Sequence, residues 1–186
     1  PADVRRTQWL EGPQYDKEGQ PLLLNDGSQL DYTPHITSLF DSSNPARANE
    51  GVRSAKYEYA DGLQGECMNN DYVVYRYADV LMMKGEALVR QGHADLAVPL
   101  FNEVRKRTGL PDYEAADLTL DEIYDERGRE FAWEGLRRQD MIRFGKWCEP
   151  RDLKPAVSPE YTKLYPIPAD IRKTNANLKQ NDGYPD

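Results

Sequence analysis

Glutamates recur every four residues through the segment ERGREFAWEG, residues 126 to 135, and just upstream of it. The series consists of Glu122, Glu126, Glu130 and Glu134. Glu126 and Glu130 are one helical turn apart, roughly 6 Å, which is close to the spacing of the carboxylate pair in a glycoside hydrolase. A general acid needs a raised pKa, however, and the arginines between these glutamates lower the pKa of nearby carboxyl groups. The segment therefore favours a structural ion-pair network, and no catalytic residue is predicted.

A helical projection of this segment separates buried charges from exposed ones. At 100° per residue, Arg127 and Glu134 fall inside the apolar arc and Glu130 lies on its edge, whereas Glu122 and Glu126 point away. An uncompensated buried charge costs about 3 to 5 kcal/mol, so the inner residues need partners. We expect Arg127 to pair with Glu130, and Glu134 to pair with a cation outside its own helix. The candidate cations are Arg76, Lys84, Arg137 and Arg138. The predicted network comprises Glu126, Arg127, Glu130 and Glu134.

Two helices are predicted upstream of the charged segment. They span residues 72 to 91 and about 94 to 107, with Gly92 between them. The first apolar face consists of Val74, Ala78, Leu81, Gly85 and Leu88, and the second of Leu96, Leu100 and Val104. From Tyr72 to Arg105 the hairpin has 34 residues, which is the length of one tetratricopeptide (TPR) repeat.

The helix that carries the glutamates has clear start and stop signals. Thr119 and Glu122 form a capping box at its beginning. It is predicted to run to Glu134 and to stop at Gly135. A short helix from Leu136 to Phe144 is predicted to follow.

The first 71 residues differ in composition from the rest of the chain. They are rich in Gly, Pro, Asn, Asp and Tyr, and no long helix fits them. Short strands are predicted at Val4–Trp9, Pro21–Leu24 and Ser54–Tyr59, with a hairpin turn at residues 25–27. We therefore divide the chain into a loop-rich segment, residues 1–71, and a helical region, residues 72–186. The predicted fold class is mainly α with an irregular, loop-rich layer of few short strands.

Aromatic residues in the loop-rich segment are the remaining candidates for ligand binding. Their neighbours include Asn and Asp, and rings beside such side chains suit stacking on the faces of sugars. The same rings also suit packing of a loop layer on helices. The candidate ligand contacts are Trp9, Tyr15, Tyr32 and Tyr59.

Composition argues against several other functions. The net charge is −8 and no run of Lys or Arg forms a basic stripe, so nucleic acid is not an expected partner. No apolar run approaches the roughly 18 residues of a membrane span. His35 and His93 are 58 residues apart and no glycine-rich phosphate loop is present, so neither a metal nor a cofactor is expected. The spacing leaves open whether Cys67 and Cys148 form a disulfide.

Five segments, in the same order, resemble the C-terminal region of the SusD/RagB family. They are RYADVLMMKGEAL (76–88), FNEVRKRTGLP (101–111), ERGREFAWEGLRRQDMIRFGKW (126–147), YPIPADI (165–171) and NLKQNDGY (177–184). DVRR at 3–6 and KY at 56–57 match weaker upstream elements. Three positions depart from the family pattern: Ala176 and Asp182 replace prolines, and Pro99 lies inside the second hairpin helix.

The resemblance implies a TPR-like α-α superhelix that carries a loop-rich layer and binds nutrients without catalysis. It implies a surface-exposed outer-membrane lipoprotein of Bacteroidetes, which binds an oligosaccharide as a lid over a SusC-like TonB-dependent transporter. In this family the residues of the charged helix belong to the framework. The resemblance also implies that the lipid anchor lies in the N-terminal half of the same protein, upstream of this chain.

Two other functions are compatible with the sequence. The first is binding of peptides or other nutrients, which some relatives are thought to do. The second, less favoured by the charges, is a glycoside hydrolase that uses Glu126 and Glu130. We also expect this chain, as part of a larger SusD-like domain, to need its N-terminal half for folding. A solenoid needs about three stacked repeats, and only one hairpin is predicted here.

Overall fold

The computed structural model describes residues 2–37, 48–57, 68, 70–175 and 177–185, and its regular structure is mainly helical. The α-helices are α1 (Tyr77–Arg90), α2 (Ala94–Arg105), α3 (Leu120–Glu130), α4 (Arg137–Arg143) and α5 (Ala169–Thr174). The strands are β1 (Trp9–Leu10), β2 (Gly12–Pro13), β3 (Asp31–Tyr32) and β4 (Arg53–Ser54). Short 3₁₀ helices span Val4–Gln8 and Glu160–Lys163. The prediction of a mainly helical fold with few short strands is confirmed.

The chain divides into two compact units, Pro1–Leu136 and Arg137–Asp186. The first contains β1 to β4 and α1 to α3, and the second contains α4 and α5. In the second unit, the guanidinium of Arg138 lies 4.7 Å from the ring centroid of Trp147 and 4.0 Å from that of Tyr165. The division at residue 71 proposed from composition concerns loops and helices, and it stays a prediction.

Helices α1 and α2 form the predicted hairpin, which turns at Gly92 with φ +83°. Helix α1 begins at Tyr77 rather than at residue 72, because Arg76 is extended, with φ −140° and ψ 162°. Leu81 and Gly85 of the predicted apolar face are buried, whereas Val74, which precedes the helix, is 67% exposed. The hairpin is therefore shorter than predicted at its N-terminal end.

The buried face of α2 agrees with the predicted one at Val104 but differs at Leu96. Ala97, Phe101 and Val104 are buried, whereas Leu96 is 55% exposed. The reason lies in α1, where a Cβ at Gly85 would be 2.4 Å from a carbon of the Phe101 ring. Because Gly85 has no side chain, the Phe101 ring fits against the backbone of α1. The face of α2 that carries Phe101 is therefore the buried one.

Helix α3 starts as predicted but ends earlier. The hydroxyl of Thr119 accepts a hydrogen bond from the backbone N–H of Glu122 at 3.1 Å. The prediction of a full capping box was wrong, because the Thr119 N–H does not donate to the Glu122 carboxylate. That carboxylate accepts hydrogen bonds from Tyr113 and Arg129, and the Thr119 N–H donates to the carbonyl oxygen of Asp117. The last helical residue is Glu130 rather than Glu134.

The five residues after α3, 131–135, form a turn instead of continuing the helix. Trp133 adopts a left-handed conformation with φ 64°, and Gly135 follows with φ 75°. The N–H of Glu134 donates to the carbonyl oxygen of Phe131 at 3.0 Å, a bond of a turn rather than of an α-helix. A left-handed backbone conformation cannot continue a right-handed helix. The Glu134 side chain therefore does not point in the direction that the helical projection assigned to it.

The loop-rich segment has less strand than predicted. Val4–Gln8 is a 3₁₀ helix rather than a strand, because the Asp3 carboxylate accepts the N–H of Arg5 at 3.0 Å and caps it. Strand β1 pairs antiparallel with β4, and β2 with β3. The predicted strand at 21–24 contains only isolated bridges, Tyr15 to Pro21 and Leu23 to Gln29. The hairpin turn at residues 25–27 is present, with Gly27 at φ 84°.

We expect Gly85→Ala to destabilise the protein by about 1 to 3 kcal/mol, because the new methyl group would overlap the Phe101 ring. The same change in an unobstructed helix interior stabilises by about 1 kcal/mol. Urea denaturation of the full-length protein, followed by circular dichroism, measures the difference. The double variant Gly85→Ala with Phe101→Leu should lose less stability than the sum of the two single variants. Strict additivity would contradict the steric explanation.

Candidate functional site

Glu126 is buried at the centre of an ion-pair network, although the helical projection placed it on the exposed face. It is 2% exposed. Its carboxylate accepts from Arg5 at 2.9 Å, from Arg129 at 2.9 Å and from Arg105 at 3.5 Å. Tyr113 donates its hydroxyl to the same carboxylate at 3.2 Å. The prediction was wrong because other segments cover the face of α3 that was expected to be exposed. They are the 3₁₀ helix Val4–Gln8 and the loop between α2 and α3.

Glu130 is shared by three arginines from three different segments. Arg5 of the 3₁₀ helix contacts one carboxylate oxygen at 3.1 Å, and Arg76, just before α1, contacts the other at 2.6 Å. Arg107, which follows α2, contacts that second oxygen as well. Glu130 is 1% exposed, so its negative charge is stabilised by these guanidinium groups rather than by solvent.

Glu134 bonds to cations outside α3. Arg76 donates to its two carboxylate oxygens at 2.8 and 2.9 Å, a bidentate arrangement, and Lys56 forms a second ion pair with it. The Lys56 ammonium also donates to the backbone carbonyls of Glu130 at 2.7 Å and Ala132 at 3.1 Å. Arg76 was one of the four candidate cations, whereas Lys56 was not. Lys56 satisfies carbonyl groups that the end of a helix leaves without intrahelical partners.

Arg127 does not pair with Glu130 as expected. Its guanidinium donates to the Asp79 carboxylate of α1 at 2.8 Å, and both side chains are almost fully buried. It also lies 4.9 Å from the centroid of the Phe131 ring. The expectation was wrong because Arg127 points to α1, so the pair joins two helices rather than two turns of one helix.

The electrostatics of the network follow from burial and its arginines. Burial raises the pKa of the Glu126 carboxyl, but Arg5 and Arg129 outweigh it and hold that pKa below its usual value. Burial likewise raises the pKa of Glu134, and Arg76 and Lys56 outweigh it. Neither carboxyl group therefore has the raised pKa that a general acid needs.

A cavity of about 250 Å³ opens beside the network. It is lined by Arg5, Gln8, Lys56, Tyr57, Val73, Arg76, Arg107, Glu130 and Glu134. Burial lowers the pKa of the Arg107 guanidinium, and the neighbouring charges of Arg76 and Arg5 lower it further. Burial also lowers the pKa of Lys56, which Glu134 offsets only in part. The lining thus includes four cationic side chains and two carboxylates, in a chain with a net charge of −8.

Three of the predicted aromatic contacts, Trp9, Tyr15 and Tyr32, are not part of this cavity's lining. Trp9 of β1 is half-buried and pairs with Ser54 of β4. Tyr32 of β3 is also half-buried, and the Arg53 guanidinium of β4 lies 4.6 Å from its ring centroid. Strand β4 thus has Trp9 and Tyr32 as neighbours. Tyr15 is 56% exposed near the bridge to Pro21, and Tyr59 lies outside the described residues.

Several residues of the network were not singled out from the sequence. They are Arg5, Lys56, Arg105, Arg107 and Tyr113. Two of them lie inside the weak family matches, Arg5 in DVRR and Lys56 in KY, and this was the available signal. Arg105 and Arg107 also lie inside a matched segment, FNEVRKRTGLP, whereas Tyr113 lies in the loop after α2, outside every matched segment.

Among the described residues, no group of three or more His, Cys, Asp or Glu side chains is arranged to hold a metal ion. None of the described helices has the length and apolarity to cross a membrane. Cys148 is half-buried, and Cys67 lies outside the described ranges, so their pairing stays open.

We expect the free energy of unfolding to fall as the pH decreases below about 4.5. Glu126 and Glu134 have folded-state pKa values below the ordinary value of 4.5, so they stabilise the protein above it. That stability is lost as the pH falls through the lower folded-state pKa. Urea titrations between pH 3 and pH 6 measure the slope. Glu134→Gln should flatten it, whereas Glu103→Gln, at a side chain that is 53% exposed, should not. Equal slopes in both variants would contradict the role of Glu134.

Comparison with known proteins places this geometry in a family. Starch-binding protein SusD from Bacteroides thetaiotaomicron is 34% identical over 125 residues, which cover 62% of this chain and 22% of that protein. Surface glycan-binding protein A from the same species, solved in complex with laminarihexaose, is 33% identical with a TM-score of 0.52. That match covers 61% of this chain and 25% of the other.

A second solved structure extends the similarity to the whole chain. B. fragilis NanU matches with a TM-score of 0.62 over 100% of this chain and 37% of its own, at 23% identity, which supports the fold alone. This chain thus spans only a minor part of the length of these relatives. The family model of the SusD family (SusD_RagB) matches residues 2–155. The chain therefore belongs to the SusD family.

Proposed function

We propose that this chain is part of a surface protein that binds glycans without catalysis and serves as the SusD-like partner of a SusC-like, TonB-dependent outer-membrane transporter. In this proposal the protein is exposed at the cell surface and lipid-anchored through its N-terminal part. The observation that carries it is the similarity, at 33% identity, to a surface glycan-binding protein solved with laminarihexaose. The similarity to a starch-binding protein points to the same class of ligand.

The charges around the glutamates support binding rather than hydrolysis. A retaining or inverting glycosidase needs one carboxyl group that stays protonated near neutral pH. The pKa of Glu126 lies below its usual value because the guanidinium groups of Arg5 and Arg129 outweigh the effect of burial. Glu130 contacts three arginines as well. We therefore assign both residues to the framework.

We propose that the ligand contacts include the aromatic residues beside β4. Trp9 and Tyr32 are half-buried, so each ring is held in place while part of its surface stays accessible. Tyr15, which is 56% exposed, is a further candidate contact. Tyr59 remains a candidate from the sequence alone.

The N-terminal half of the same protein is the proposed intramolecular partner of the hairpin. Apolar side chains on α1 and α2 face solvent in this chain: Tyr77 is 72% exposed, Val80 51%, Met83 44% and Leu96 55%. Exposed apolar surface of this kind marks an interaction site. Further helical hairpins stacked on α1 and α2 would cover it.

We expect Trp9→Ala and Tyr32→Ala to weaken binding of laminarihexaose or maltohexaose roughly three- to tenfold, because each removes an aromatic stacking surface. Isothermal titration calorimetry with the full-length protein measures the affinities, and chromatography of the same mixtures should show no shorter products. Tyr75→Ala is the matched control, since Tyr75 is 75% exposed and lies outside the proposed surface.

Three results would contradict this function. Binding of peptides but of no oligosaccharide would change the class of ligand. Cleavage of an oligosaccharide that Glu126→Gln abolishes would restore the hydrolase. Equal loss of affinity in Tyr75→Ala would remove Trp9 and Tyr32 as specific contacts.

We expect the isolated 186-residue chain to unfold without a sharp cooperative transition or to self-associate. The apolar side chains exposed on α1 and α2 are the reason. Differential scanning calorimetry and analytical ultracentrifugation measure both properties. The full-length protein serves as the control and should melt cooperatively. A cooperative melt of the isolated, monomeric chain would show that no further hairpin is needed.

A further inference from the structure

The cavity beside the ion-pair network has more positive than negative charge around it. Its lining includes four cationic side chains, from Arg5, Lys56, Arg76 and Arg107, but two carboxylates, from Glu130 and Glu134. Among the described residues, the whole network has six cations and five carboxylates. The cations are Arg5, Lys56, Arg76, Arg105, Arg107 and Arg129, and the carboxylates are Asp3, Glu122, Glu126, Glu130 and Glu134. One positive charge is therefore left without a carboxylate of its own.

Arg105 and Arg107 each contact a single carboxylate that other arginines share, and of these two arginines only Arg107 lines the cavity. Arg5 is held by Asp3, Glu126 and Glu130, and the three protons of Lys56 meet Glu134 and two backbone carbonyls. In the described part of the chain, Arg107 pairs with Glu130 alone. Glu130 in turn is shared with Arg5 and Arg76. A guanidinium carries five N–H donors, so Arg107 keeps donors for a ligand.

Exposure and position make Arg107 accessible to such a ligand. Its side chain is 54% exposed although it lines the cavity, whereas Glu130 beneath it is fully buried. Burial and the charges of Arg76 and Arg5 lower the pKa of the Arg107 guanidinium. An anion at this place would relieve the repulsion between these cations.

An aromatic residue forms another part of the lining. Tyr57 lines the cavity and is stacked on Tyr72, with ring centroids 5.4 Å apart and an interplanar angle of 24°. This stacking holds the Tyr57 ring in place. A volume of about 250 Å³ is below the roughly 300 Å³ at which pockets for drug-sized ligands begin, and it suits a single sugar ring.

We propose that this cavity binds an acidic sugar unit of a glycan, with its carboxylate against Arg107 and Arg76 and its ring beside Tyr57. The proposal rests on the proposed glycan-binding function and names a class of ligand at a second place on the chain. Arginine suits a carboxylate because its planar fork donates two parallel hydrogen bonds. The acidic chain as a whole, with a net charge of −8, would otherwise repel such a ligand, so local positive charge is a requirement.

The test is isothermal titration of the full-length protein with a galacturonic acid disaccharide, its neutral galactose counterpart and acetate. We expect the acidic disaccharide to bind more tightly than the neutral one, with an affinity that falls as salt increases. Arg107→Gln should weaken binding of the acidic disaccharide about tenfold, because it removes a charge-assisted contact. Tyr57→Leu should weaken both disaccharides.

Arg6→Gln is the matched control, since Arg6 carries the same charge, is 75% exposed and pairs with Glu11 outside the cavity. It should leave the affinity for the acidic disaccharide unchanged. Melting temperatures establish that each variant is folded. Arg107→Lys keeps the positive charge and should retain part of the affinity, which separates loss of charge from loss of folding.

The outcomes also separate this proposal from the proposed function. Equal affinities for acidic and neutral disaccharides, or an unchanged affinity in Arg107→Gln, would overturn the acidic-sugar site and leave glucan binding at Trp9 and Tyr32 intact. Binding of acetate as tight as that of the disaccharide would reduce the site to a simple anion site and also overturn the proposal. Loss of glucan binding in Trp9→Ala with acidic binding retained would support two separate sites.

Discussion

The compensation of three buried carboxylates at the end of α3 is the constraint on which the first unit depends. Glu126, Glu130 and Glu134 are each less than a tenth exposed, and a buried charge without a partner is strongly destabilising. Arg129 of α3 contacts Glu126, and the other cations that contact these carboxylates lie outside α3. Those cations come from the 3₁₀ helix, from the segment after β4, from the residue before α1 and from the end of α2. The loop-rich layer is thereby fastened to the helices through charge.

This arrangement gives the two parts of the first unit different kinds of cohesion. Between α1 and α2 the contact is apolar and close, with the ring of Phe101 against the backbone of Gly85. Between the loops and α3 it is made by guanidinium groups and carboxylates. A buried ion-pair network gives less stability than an apolar core of equal size, but its bidentate geometry fixes orientation. Such an interface suits a layer with few apolar side chains and many turns.

The sequence predicted what depends on local pattern and missed what depends on tertiary contacts. The hairpin, its turn at Gly92 and the N-cap at Thr119 follow from periodicity and cap chemistry, and all are present. The exposed face assigned to Glu126 was wrong because a single helix cannot reveal which other segments cover it. The predicted length of α3 was wrong for a related reason. The chain leaves the helix through a left-handed conformation at Trp133, and tryptophan has no intrinsic preference for that conformation. The candidate aromatic contacts remain predictions, because no ligand position defines them.

The ion pair between Arg5 and Glu130 has a consequence for how the chain folds. It joins residues that are 125 positions apart, and the bond between Arg5 and Glu126 joins residues 121 apart. Contacts of such sequence separation form only after a long loop has closed, and folding rates fall as the mean separation of contacts rises. The hairpin of α1 and α2 is local and forms early by the same argument. Arg129 and Arg107 are near these carboxylates in sequence, but Glu126 and Glu130 have their full set of partners only once the N-terminal segment has closed onto α3.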